Sequence, residues 1–94
     1  MANRHLSRSI VIQSLFEWDL NALERHAVHE VLERNVSEFA PNKTDQPFMV
    51  KLLDGVLAKQ PELDQVIEKA APDWPIDRIS PVDRNILRLG LYEL

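Results

Sequence analysis

The sequence predicts an all-α fold, a five-helix bundle within a single domain. Three observations carry this expectation. Every segment long enough to classify repeats its apolar residues at helical spacing. Helix-start signals recur along the chain, the strongest being Ser80-Pro81-Val82-Asp83. And 94 residues, with no internal repeat, low-complexity tract or interdomain linker, suffice for one domain at most.

Asn3 caps the first predicted helix, which runs to about Asp19. Val11, Leu15 and Trp18 form one stripe, and Ile10, Ile12 and Phe16 cover much of the remaining circumference, as expected of a helix surrounded by others. Asn21 followed by Glu24 reads as a capping box for a second helix carrying Val28, Val31, Leu32, Val36 and Phe39, which Pro41 and Asn42 end. Thr44 caps a third, with Pro47 in its first turn and Phe48, Met49, Leu52 and Val56 inward. Gly55 interrupts this helix at a cost of about 1 kcal/mol relative to alanine. A close helix crossing, where no side chain fits, is the expected return.

Pro61 opens a fourth predicted helix with Leu63, Val66, Ile67 and Ala70, stopping before Pro72. A short connection follows, with Trp74 and Ile76 folded inward. The fifth helix starts at Ser80 and uses Val82, Ile86, Leu87, Leu89, Leu91 and Leu94. No glycine stop or cationic last turn closes it, and its apolar pattern is still running at Leu94. The domain therefore divides into a three-helix part, residues 1–60, and an incomplete part, residues 61–94. Leu87, Leu91 and Leu94 are expected to meet a second copy or to stay partly exposed.

Composition narrows the function. The absence of cysteine excludes disulfides, thiolate metal sites and thiol nucleophiles. Gly55 and Gly90 are the only glycines, so there is no glycine-rich phosphate loop, and no Ser–His–acid set is suggested by neighbouring residues. A non-enzymatic, cofactor-free, cytoplasmic protein is expected. His26, His29, Glu30 and Glu33 share a helix face as metal ligands do, but that face lies opposite the apolar series, and no metal is expected there.

Charge is unevenly distributed. The net charge is −4, yet residues 1–8 hold two Lys/Arg and no acid, leaving −6 on the remainder. Arg4, His5 and Arg8 fall in the first turns of a helix, where the backbone already carries partial positive charge. The same geometry suits a bound phosphate. Arginine fits that task because it pairs with phosphate and also stacks on an unpaired base. A solvated, frayed helix start is the plainer alternative.

The tail RISPVDRNILRLGLYEL, the opening RHLSRSIVIQSLFEW and the middle FMVKLLDGV together resemble the NusB family of bacterial transcription antitermination factors. The resemblance covers essentially the whole chain and is most specific in the tail. It implies an all-helical fold whose members continue for two further helices after LYEL. It also implies binding of boxA-type single-stranded RNA together with the ribosomal protein NusE, in an RNA polymerase antitermination complex acting mainly on ribosomal RNA operons. Arg4, His5, Arg8 and Gln13 then fall on the RNA path, although Gln13 also suits a plain solvent-facing strip. His5 and Leu6 stand where the family commonly has basic residues.

Asp77 and Asp83 fall where acidic residues of the family meet basic NusE, with Arg84 in the same charged group. For Asp83, stabilising the helix start is an equal reading. Phe16 occupies a partner-facing position where the family often has tyrosine; core packing is its alternative. Arg88 is expected to be a surface or interhelical cation, and Trp18 and Trp74 to be core or subdomain-boundary anchors. The resemblance leaves two other functions open: an RNA-positioning module of a ribosomal RNA cytosine methyltransferase, and a helical self-association module, a homodimer without RNA.

Overall fold

The computed structural model describes residues 4–39, 41–42 and 45–94. Among the described residues four α-helices, α1 (Arg4–Leu20), α2 (Val28–Phe39), α3 (Gln46–Ala70) and α4 (Pro81–Glu93), and two short 3-10 turns make the fold, with no strand. Helix α1 is central and packs on α2, α3 and α4, while α3 also packs on α4. Val11, Leu15, Val28, Met49, Leu53 and Val56 are almost fully enclosed at the centre of one continuous core.

The helix count corrects the sequence reading. Pro61 does not open a helix; it lies inside α3, which runs unbroken for 25 residues and passes through the expected division at residues 60 and 61. An interior proline removes one backbone hydrogen bond and costs about 3 kcal/mol. Leu53, Val56 and Leu57 before it, and Leu63 and Ile67 after it, are all buried, so packing on both sides outweighs the local penalty.

Asn21 and Glu24 are a second correction: the segment terminates α1 instead of starting α2. Leu23 N–H donates to the Trp18 carbonyl (3.0 Å) and Ala22 N–H to that of Asp19 (3.3 Å), the paired bonds of a Schellman stop. Asn21 adds a side-chain bond to the Glu17 carbonyl, 3.0 Å, and Glu24 makes no cap bond. Ala22 holds the left-handed position at φ 52°. Glycine is free of the Cβ strain incurred there, so Ala22→Gly is expected to raise stability by about 0.5–1 kcal/mol in urea titrations.

The start of α4 follows the sequence: Ser80 Oγ accepts from Asp83 N–H at 3.2 Å, with Pro81 in the first position. At α3 the cap is Asp45, whose side chain accepts from Phe48 N–H; the expected caps Asn3 and Thr44 lie outside the described residues. Trp74, expected inward, is 67% exposed, and Phe39, Val82 and Ile86 are exposed as well. Leu87 and Leu94 are exposed and Leu91 is half-buried. Leu87, Leu91 and Trp74 border an apolar groove of about 350 Å³ with Val66, Ile67 and Ile79.

The polar interior ties the helices together. Asp19 of α1 accepts from Arg84 Nε at 2.5 Å, from Asn85 Nδ2 at 2.9 Å and from Arg88 Nη1 at 3.0 Å, while Arg84 Nη2 bonds its other oxygen. Arg88 reaches on to Asp64 of α3 with Nε at 2.7 Å and Nη2 at 3.0 Å, a two-pronged pair. It is only 4% exposed, which makes it the interhelical cation of the two expected alternatives. Between α1 and α2, buried Asn35 donates to buried Ser14 (3.1 Å).

Candidate nucleic-acid interface

Arg4 opens α1, and no acidic residue balances the first turn of that helix. Ser7 Oγ accepts from the Asp45 backbone N–H at 3.1 Å, which pins the start of α3 against the first turns of α1. The Asp45 carboxylate then accepts from Phe48 N–H at 3.1 Å and fixes Phe48 in the first turn of α3. The result is a cation–aromatic cluster. The Arg4 guanidinium carbon lies 4.6 Å from the Phe48 ring centroid, and that of Arg8 lies 5.3 Å away.

Helix α4 supplies the opposite wall. A Cβ on Gly55 of α3 would coincide with the Tyr92 hydroxyl and ring, so the bare backbone there is what admits Tyr92. This is the close crossing expected from the sequence. The contact brings the last turn of α4 beside α1, where Arg8 Nε donates to both Glu93 carboxylate oxygens at 2.9 Å each. Arg4, Asp45, Pro47, Phe48, Lys51, Leu52, Tyr92 and Glu93 enclose an open cleft of about 480 Å³.

Arg4 and Arg8 are thus brought together, and His5 is exposed beside them, its carbonyl accepting from Ser9. Gln13 is not part of the cluster. At about 100° per residue it faces roughly away from Arg4 and Arg8, and it donates to Glu17 at 3.0 Å. Burial pushes the Glu17 carboxyl up, but hydrogen bonds from Gln13 and Arg34, with the Arg34 charge and Asn35, leave it below the usual carboxylate range.

Asp77, in the short turn before α4, and Asp83, in the first turn of α4, are both exposed. Arg84 is engaged inside the fold, bonded to Asp19 and to the carbonyls of Ile76 (3.3 Å) and Ile79 (3.0 Å). Its hydrogen bond to Asp19 raises its pKa further, against the opposing effect of burial. Phe16 is half-buried on α1. His29 pairs with Asp54 at 2.7 Å and His26 with Glu24 at 3.3 Å, and among the described residues no His/Cys/Asp/Glu group gathers to hold a metal.

The sequence reading missed Lys51, Tyr92 and Glu93 and assigned Phe48 wholly to the core. The spacing of Phe48 and Lys51, one turn apart at a helix start, was the available signal. None of the described helices is long and apolar enough to cross a membrane.

Fold and cleft define a small all-helical domain with a surface site of mixed charge built around an aromatic ring. The chain belongs to the NusB family, whose model matches residues 5–94. It is similar to the transcription antitermination protein NusB of Bacillus subtilis, 42% identical over 91 residues, covering 97% of this chain and 64% of that protein. Against the protein of the same name from Chloroflexus aggregans, identity is 36% over 93 residues, or 99% of this chain and 60% of the relative. The chain therefore spans about three-fifths of the length of these curated relatives. No solved structure matches it.

Proposed function

We propose that this chain is the RNA-binding part of a transcription antitermination factor, as the names of its relatives suggest. Its RNA is single-stranded and of the boxA type, bound together with the ribosomal protein NusE in an RNA polymerase antitermination complex acting mainly on ribosomal RNA operons. The observation that supports this best is the convergence of Arg4 and Arg8 on one aromatic ring at the tip of an otherwise acidic molecule. Two arginines on a helix start with no acid of its own, one of them held only by the exposed Glu93 pair, attract polyanions, and only a short stretch is accommodated before the body repels it. An aromatic ring within reach favours unpaired bases over a duplex.

Exposed Asp77, just before α4, and Asp83, in its first turn, suit a basic protein partner. Each contact alone is weak, and the joint surface supplies affinity. The test is fluorescence anisotropy with a labelled boxA RNA and the Arg4→Glu/Arg8→Glu variant. Affinity should fall by about tenfold or more at low salt, with helicity by circular dichroism unchanged. Equal affinity for variant and parent would sink the assignment.

A further inference from the structure

Glu93 occupies Arg8 much as a phosphate would. Its two carboxylate oxygens sit at equal 2.9 Å distances from one guanidinium nitrogen, at the rim of the cleft. The pair is solvent-accessible on both sides, 39% and 29% exposed, so an incoming anion exchanges with it readily. The other cleft carboxylate, Asp45, already caps α3 through Phe48 N–H. Arg4 and Lys51 are exposed, and Phe48 is only half-buried between them. The cleft volume, about 480 Å³, lies within the usual range for small-ligand sites.

We propose that this cleft seats one nucleotide of single-stranded RNA. The base rests on the Phe48–Arg4 pair, one phosphate displaces Glu93 from Arg8, and the neighbouring phosphate meets Lys51. Glu93 is then an internal competitor that weakens binding of any RNA too short or too poorly stacked to expel it. This rests on the RNA-binding reading above and extends it from α1 to α3 and α4. Stacking on an aromatic ring tolerates any base, so the cleft contributes affinity more than sequence choice.

Anisotropy titrations over a salt series, with a fluorescein-labelled single-stranded boxA RNA, test three variants. Phe48→Leu should weaken binding roughly tenfold with the salt slope unchanged. Lys51→Gln should lower the slope by about 0.7. Glu93→Gln should tighten binding about two- to fivefold, the range set by an exposed ion pair, while its melting temperature stays level or falls slightly. A merely structural Glu93 predicts the opposite sign for affinity.

Glu93→Gln binding no tighter than the parent, or folded Phe48→Leu binding equally well, overturns the cleft. Should Phe48→Leu fail to fold, the sign of Glu93→Gln decides alone. If Arg4→Glu/Arg8→Glu abolishes binding while Glu93→Gln and Phe48→Leu change nothing, the RNA reading survives without this site. If the parent protein itself does not bind, both fall.

Discussion

Asp19→Ala is expected to destabilise the protein by about 3–5 kcal/mol, the cost of removing one partner from a buried ion pair. Asp19 is the only carboxylate bonded to Arg84 among the described residues, and it shares Arg88 with Asp64. Its removal leaves the Arg84 guanidinium, itself largely shielded, without its hydrogen-bonded counter-charge, and only the more distant Asp64 and Asp77 then face it. Domains of this size are stable by only about 5–15 kcal/mol, so the urea midpoint should drop severely.

A second variant separates stranded charge from lost packing. Asp19→Ala combined with Arg84→Met leaves Arg88 its two-pronged partner Asp64 and should recover part of the loss. A double variant as unstable as the sum of its parts would refute the charge argument.

The same network sets a pH dependence. Burial pushes the Asp19 carboxyl upward, but hydrogen bonds from Arg84 and Asn85, with the charges of Arg84 and Arg88, hold it below its ordinary 3.8. A carboxyl depressed in the folded state takes up protons more readily when unfolded. Its stabilisation is therefore complete above about pH 4 and is lost as pH falls through the folded value. Urea midpoints of the parent should decline in that acid range, and those of Asp19→Ala should decline less steeply.

How far the sequence revealed the molecule depended on how local each cause was. The Ser80 cap, the helical class and the Gly55 crossing were legible because each is set within a few residues or by the lack of a side chain. The helix boundaries around Asn21 and Pro61 were misread because a strong local signal has two uses. Asn21 serves helix ends as well as starts, and proline's penalty yields when both flanks are buried. At the candidate site, Arg4 and Arg8 stood out as charges in the wrong place for their helix. Glu93 was invisible because its pairing spans 85 positions and depends on how α4 crosses α3. Arg84 and Arg88, four apart on an apolar helix, carried a hint of burial, but Asp19 and Asp64 are too distant along the chain to be matched with them by spacing.

Gly55→Ala is expected to destabilise the fold by about 1–3 kcal/mol, the usual range for overpacking. The sign is informative, because the same change in an open helix gains roughly 1 kcal/mol from propensity. Here the added methyl would share space with the Tyr92 hydroxyl and ring, so either Tyr92 swings out or the end of α4 lifts from α3. Both responses disturb a half-buried aromatic packed on the core. A relaxed Tyr92 gives the suppressor: with Tyr92→Ala the methyl has room, and the Gly55→Ala penalty should vanish or reverse. Chemical denaturation of the four proteins in this cycle yields the coupling between the two positions, expected at about 1–3 kcal/mol. An independent, stabilising effect of Gly55→Ala would mean that α3 and α4 do not approach closely there. The delivery of Glu93 to Arg8 would then lose its structural cause.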